Sequence, residues 1–391
     1  MKPLIRLIKA LLMLESALYA AITPLLPHYE RTLGASKPAL GVLAAAYAGG
    51  VIPGAFLGGW ASSRAGVRWA TLAGLFLLAA GTAAFGFATT LVELDTLRVV
   101  QGIACGLIWG GALTWVIAVT PAASRGALLG GVMSAAIFGT LVGPLLGIAA
   151  VSIGAELTFG LVAATAVVLA GRLLRFAEPR RAEPGPRLRL RQIFGNRGLM
   201  TGCCLVTLDA LTIGATNVLV PLRLARLGAS TVAIGAVFLI ASGGSALISP
   251  GLGRITDRRG IVPPAAGGLV LSATLMALIP LPDSALALAV LSVLALGGPL
   301  TASMIPAGTL MTASAERAGI ALVASTMLFN LAFAVGETFG APAAAGVASA
   351  TSDAVPFVAL AGLMLLSLWG MLARGRGHLA LKADQATVQI P

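Results

Sequence analysis

The sequence predicts an all-α membrane protein of twelve transmembrane helices, arranged as two pseudo-symmetric six-helix bundles. Three observations carry that prediction. Of 391 residues, 58% are hydrophobic and only 10% charged, with a mean hydropathy of +0.97, outside the range of soluble domains. Apolar runs of about 20 residues, long enough to cross a ~30 Å hydrocarbon core, repeat along the chain with short polar breaks. The second half also copies the first at an offset of 194 residues. Leu33-Gly34-Ala35-Ser36 returns as Leu227-Gly228-Ala229-Ser230, and Gly41, Gly49, Gly50, Gly59, Arg64 and Gly66 fall on Gly235, Gly243, Gly244, Gly253, Arg258 and Gly260.

The expected spans are 10–28, 39–61, 69–89, 93–119, 126–151, 156–174, 199–221, 231–254, 263–281, 285–312, 319–347 and 354–373. The stretch from Glu178 to Arg197, proline-rich and basic, separates six spans from six. This gives a first bundle over 1–175, a linker over 176–198, a second bundle over 199–373 and a tail over 374–391. An even number of spans puts both termini on one side. Of the 26 Lys and Arg, 21 fall on the termini, the linker and the short loops of that side, 4 fall on loops of the other, and Arg98 stands inside span four. The positive-inside rule therefore expects a multi-pass protein of the cytoplasmic (inner) membrane with both termini cytoplasmic.

The formal charge of +12 lies on loops beside the spans, where lipid headgroups rather than nucleic acid are the expected contact. Cys105, Cys203 and Cys204 fall inside spans without ligand-like neighbours, so neither a disulfide framework nor a metal site is expected. There is no GxxxxGK[ST] phosphate loop and no His-Cys cluster. No cofactor and no enzymatic activity are expected, and energy comes from a gradient.

In chain order, span one carries Glu15 ahead of Pro24 and Pro27. Its repeat partner in span seven is Asp209, and span eleven carries Glu337 between Gly336 and Gly340. Charge inside a span is costly, so an intramembrane carboxylate is a functional hypothesis by default, and proton binding is the chemistry it offers. Asn217 and Asn330 can hydrogen-bond a substrate or a neighbouring helix. Arg98 opens Arg98-Val99-Val100-Gln101-Gly102 in span four and needs a carboxylate, a wet cavity or the interface, to which it can snorkel past Glu93 and Asp95. Span five, from Gly126 to Gly147, is apolar throughout yet holds Gly130, Gly139, Gly143, Pro144 and Gly147. In a soluble helix each glycine costs about 1 kcal/mol against alanine, but in a bilayer small residues let helices approach closely.

These motifs resemble those of the major facilitator superfamily. Gly253-Arg254-Ile255-Thr256-Asp257-Arg258-Arg259-Gly260 looks like its GxxxDRxG loop, a cytoplasmic latch in that family. The first-half copy, from Gly59 to Arg64 and Gly66, has Ser63 where the acid is expected. The span-four stretch resembles the RxxQG motif linked to proton transfer. The span-five glycines are similar to the signature of the drug:proton antiporter branch, except that Ile148 stands where a final glycine is usual. Span one, from Glu15 to Pro27, is similar to that of vesicular monoamine transporters and related bacterial exporters.

The resemblance implies a monomeric carrier that exchanges small lipophilic or cationic molecules for protons by alternating access. In it Glu15, Arg98, Asp209, Glu337 and Asn217 serve coupling or substrate, and Gly130, Gly139, Gly143, Pro144, Gly147, Arg64, Gly66, Asp257, Arg258 and Gly260 serve conformational change. Two alternatives stand beside it: a proton symporter or facilitator for a sugar or organic acid, and a transport-inactive membrane sensor or scaffold.

Overall fold

A computed structural model describes residues 2–120, 125–178, 195–320 and 322–387, with side chains described except at 125–127, 129–130, 322–323 and 374–387. Most of the predicted linker, 179–194, and the last residues of the tail, 388–391, lie outside the described residues. The described chain is helical: α1 (Lys2–Ala20), a 3-10 turn (Thr23–Leu25), α2 (Leu26–Leu33), α3 (Lys37–Arg64), α4 (Val67–Phe87), α5 (Leu91–Val119), α6 (Arg125–Ile153), α7 (Ala155–Leu173), α8 (Arg197–Arg226), α9 (Thr231–Arg259), α10 (Val262–Leu278), α11 (Ala285–Leu296), α12 (Pro299–Arg317), α13 (Leu322–Ala350) and α14 (Ala354–Thr387).

Among the described residues ten segments are long and apolar enough to cross a membrane, with α11 and α12 acting as one from Ala285 to Arg317. The other two predicted spans fall on α1 and α10. Arg6, Lys9 and Glu15 interrupt the apolar run of α1, and α10 is 17 residues long. One apolar core gathers side chains from α1 to α7 and reaches Val218, Leu222, Ala341 and Ala345 of the second half. A second core gathers those of α8 to α14.

The repeat is legible atom by atom. In both copies of Leu-Gly-Ala-Ser the glycine takes the left-handed backbone that ends a helix, φ +62° at Gly34 and +86° at Gly228. The serine then caps the next helix, Ser36 accepting from the Ala39 amide and Ser230 from the Ala233 amide. Gly139 of α6 lies against the Met13 carbonyl of α1, and Gly336 of α13 against the Thr207 carbonyl of α8; Cβ atoms there would stand 2.2 and 2.4 Å from those oxygens. Met13 and Thr207 are repeat partners. Gly143 and Gly340 repeat the contact one turn on, against Ala17 and Leu211. The span-five ladder and its span-eleven counterpart are thus the same seam built twice. Gly147 carries the first seam to Ala21 and Pro24, while Gly130 lies in α6 at a position whose surroundings are outside the described residues.

The halves meet at one end. Gly41 of α3 packs on Ala341 and Ala345 of α13, and its repeat partner Gly235 of α9 packs on Ile148 of α6. Ile148, the departure from the expected glycine, fills the space that Gly235 leaves. At the same end Asp353 binds Lys37 at 2.6 Å and Arg226 at 2.7 Å, joining the starts and ends of α3, α8 and α14. At the opposite end Asp257, Arg258 and Gly260 are exposed, and Arg64 lies over the Trp60 ring at 5.4 Å. Gly66, at φ +101°, faces Glu178, whose carboxylate accepts the Arg68 amide at 3.1 Å. The acid missing at Ser63 is thus supplied to the head of α4 from the start of the linker, a favourable place for negative charge.

Gly139→Ala and Gly336→Ala each drive a methyl group into a carbonyl and are expected to cost about 1–3 kcal/mol, whereas Gly160→Ala, which meets nothing within 4 Å, is neutral. Thermal unfolding in detergent checks this, and equal losses at all three positions would overturn it. Burial pushes the Asp353 carboxyl up, but the bonds and charges of Lys37 and Arg226 outweigh it and hold it below the usual carboxylate range. A depressed carboxylate contributes closure at neutral pH and loses it as pH falls through its lowered value. Asp353→Asn is therefore expected to speed backbone deuterium exchange at the start of α3, from Lys37 to Leu43, at neutral pH, and unchanged exchange there would overturn it.

Candidate transport cavity and its charged network

Beyond Gly49 and Gly243 the inter-half helices part. The next turns, Val51 and Ala55 of α3, Met133 and Ile137 of α6, Ser245 and Ser249 of α9, and Met327 and Asn330 of α13, line a cavity of about 580 Å³. Six aromatic side chains face it: Tyr19, Tyr47, Trp109, Phe238, Phe329 and Phe333. The second half adds neutral hydrogen-bonding groups, Asn217, Asn330, Ser242, Ser245, Ser249 and Thr301. Glu15 and Glu337 are its charged lining; among the described residues no Lys, Arg or His contributes to the wall.

Glu15 is 2% exposed and richly held from its own half. Its Oε1 accepts the Tyr47 hydroxyl, while Oε2 accepts the Trp109 indole N–H at 2.8 Å and the Ser16 hydroxyl at 3.2 Å. Glu337, 4% exposed, accepts the Tyr19 hydroxyl, which belongs to the other half. The Tyr19 and Tyr47 rings sit beside each other, centroids 5.6 Å apart. The sequence reading found the two acids and missed Tyr19, Tyr47 and Trp109. Two signals were present: Tyr19 lies one helical turn after Glu15 on the same face, and Tyr19 and Tyr47 break the repeat, their partners being Ile213 and Ala241.

Arg98 is 2% exposed and does not snorkel to the interface. Pro24 has no N–H and ends α1 at Ala20, leaving the carbonyls of the last turn without helical donors. Arg98 takes them, Nη1 donating to Leu18 O and Nη2 to Tyr19 O, both at 3.1 Å. It also reaches Gln101 at 3.3 Å and lies 4.6 Å from the Tyr47 ring centroid. Among the described residues no carboxylate pairs with it; its counter-charge is the negative end of the α1 dipole. Glu93, close to Arg98 in sequence, instead forms a capping box with Thr90 and accepts the Thr89 amide at the head of α5. The motif glycine Gly102 lets α5 approach the Tyr47 carbonyl, setting the level of Arg98 against α3.

Asp209 is not brought to the cavity. It is fully buried inside the second half, where one oxygen accepts the Ser303 hydroxyl at 2.8 Å and the other has no partner. Pro144 and Asn217 line the cavity. The cavity thus combines an aromatic, apolar wall with two acids, and the nearby cation is locked to backbone.

Residues 10–337 match the family profile of the Major Facilitator Superfamily. The MFS-type transporters ppzB of Metarhizium rileyi (strain RCEF 4871) and Metarhizium majus (strain ARSEF 297) are 34% and 33% identical to the chain over 103 residues, 26% of it and 21% and 23% of them. The match thus spans about a fifth of those relatives. Among solved structures, the nucleoside transporter NupG aligns with a TM-score of 0.74 over 95% of this chain and 98% of that one, at 14% identity. A bacterial homolog of the human lysosomal transporter Spinster, in an inward-facing and occupied conformation, aligns at 0.74 over 96% and 97%, at 15% identity. At such identities the likeness is one of fold. The family profile, matching most of the chain, shows that this multi-pass membrane protein belongs to the Major Facilitator Superfamily.

Proposed function

We propose that this transporter exports small lipophilic cations from the cytoplasm in exchange for protons, its halves over 1–175 and 199–373 rocking about the central cavity. The supporting observation is the wall itself: aromatic and apolar, with Glu15 and Glu337 as its charged groups and no cation. An aromatic face and a carboxylate together attract a cation more strongly than either alone, and in a cavity shielded from water the attraction is large. Placing both termini in the cytoplasm of the inner-membrane topology makes the closed Lys37–Asp353 end external and the present state open to the cytoplasm.

Exchange follows from competition. A carboxylate that holds a proton no longer attracts a cation, so protons arriving from outside displace substrate there, and loss of the proton inside restores the site. Glu15 and Glu337 take this role; Asp209, away from the wall, is assigned to the packing of the second half. An organic acid would meet two carboxylates and no compensating cation, which disfavours an anion symporter.

Reconstituted vesicles carrying an imposed pH gradient test the reading with a fluorescent monocation. Glu15→Gln is expected to lower gradient-driven accumulation about tenfold or more, the equivalent of ~1.4 kcal/mol, and Asp209→Asn to retain it. Intact accumulation in Glu15→Gln, or its absence from the parent across a panel of cations, overturns the proposal.

A further inference from the structure

The cavity contains a side-chain bond that joins the two halves: the Tyr19 hydroxyl of α1 donates to Glu337 of α13. Everything that fixes Tyr19 belongs to the first half. Its carbonyl is held by Arg98, at 3.1 Å, and its ring lies beside Tyr47. The Glu337 backbone is seated on the second half by Gly336 and Gly340, which pack α13 on α8, while Gly41 and Gly49 of α3 meet the same helix at Ala341, Ala345 and Thr338. Glu15 differs: its donors Tyr47, Trp109 and Ser16 all come from its own half, so a change at Glu15 strains no contact between halves.

We propose that Tyr19 is a coupling strap, a positioning residue that ties the halves together while Glu337 is ionised and lets them part when Glu337 is neutralised. The idea rests on the proton-exchange reading above. A hydrogen bond to an ionised acceptor is about twice as strong as one between neutral groups. When a proton passes from water to the Glu337 carboxylate, Tyr19 keeps its own proton and the bond falls to the weaker kind. A cationic substrate on Glu337 competes for the same charge. The empty, ionised carrier is thereby held in one state, and either ligand releases it, which is the condition for exchange rather than leak.

The groups acting on Glu337 come from several elements. Tyr19 on α1 bonds it, and Arg98 on α5 is near enough for its charge to be felt. Tyr47 on α3 and Glu15 on α1 stand behind Tyr19. From α8, Gly214 meets the Glu337 backbone, and the one acid of that helix, Asp209, is turned to Ser303 of α12.

The test uses the full chain in lipid nanodiscs with spin labels at Leu57 and Ile255, both exposed at the open end, and reads the inter-label distance distribution without substrate. Acidification from about pH 8 to about pH 5 is expected to raise the short-distance population of the parent, in which the labelled end has closed, about tenfold, equivalent to ~1.4 kcal/mol. Tyr19→Phe keeps the ring and removes the donor; it is expected to show the acid-type distribution already at the higher pH, with less than about a twofold further response. Glu337→Gln should do the same if Tyr19→Phe fails to fold, and Asp209→Asn, away from the cavity wall, should keep the parental response. A parental response in Tyr19→Phe, or in Glu337→Gln, overturns the strap, as does a parent that ignores pH. A parent that responds to pH in this assay yet moves no cation against a pH gradient overturns the exchange reading and leaves the strap standing.

Discussion

The site depends on one broken helix. A membrane interior offers no water to a free carbonyl, so backbone left unpaired there must be met by another part of the protein. Pro24 ends α1 at Ala20, and Arg98 meets the freed carbonyls of Leu18 and Tyr19. The repeat shows what the proline does. Pro27 has a counterpart in Pro221 of α8, but Pro24 falls on Val218, and α8 runs unbroken from Arg197 to Arg226. The first half therefore has a helix end inside its first span and a buried arginine to serve it; the second half breaks elsewhere, between α11 and α12 at Gly297 and Gly298, and among the described residues no buried arginine serves that break. Because Arg98 grips the carbonyl of the residue whose hydroxyl reaches Glu337, the break and the acid are mechanically one unit.

Departures from the repeat mark the chemistry, and agreements mark the scaffold. Gly139 and Gly336, Gly34 and Gly228, and Ser36 and Ser230 make the same contacts in both halves. They answer to geometry that each half needs alone: close helix seams and tight turns. Tyr19 against Ile213 and Tyr47 against Ala241 differ, and both tyrosines hold an acid. Glu15 and Asp209 are alike in type but not in fate. The longer glutamate reaches the cavity wall and gathers three donors; the shorter aspartate stays inside its bundle against Ser303.

The fold was legible in the sequence because its signals are one-dimensional. Apolar run length, loop charge and a fixed offset need no coordinates, and they led to a helical membrane fold of this family. The count of twelve is not matched: Arg6, Lys9 and Glu15 in α1 and the shortness of α10 leave, among the described residues, ten segments that satisfy length and composition. Four charged positions inside spans, Glu15, Arg98, Asp209 and Glu337, stand out in the sequence, but their partners are legible only in three dimensions. Arg98 was expected to seek a carboxylate or the interface, and it found a helix end instead, because the unpaired carbonyls that attract it exist only once Pro24 has broken α1. Asp209 was grouped with Glu15 by register alone, and register carries no information on side-chain reach. The missing loop acid at Ser63 was compensated by Glu178, about a hundred residues away in sequence, a pairing visible only in three dimensions.

The closed end is built to be reversible. Its seams are Gly41 on Ala341 and Ala345, and Gly235 on Ile148, with small residues in close contact rather than interlocked large ones. The ion pairs beside them, Lys37 and Arg226 on one aspartate, are of the partly exposed kind worth about 0–1 kcal/mol each. A large aliphatic interface would have stabilised closure by far more than a single titration can offset, since a protonation step acting through one charge-assisted bond shifts an equilibrium by about 1.5–3 kcal/mol. The two terms are of the same order. Under the proposed strap, that match lets a bond as small as the one between Tyr19 and Glu337 weigh on which end of the cavity is open.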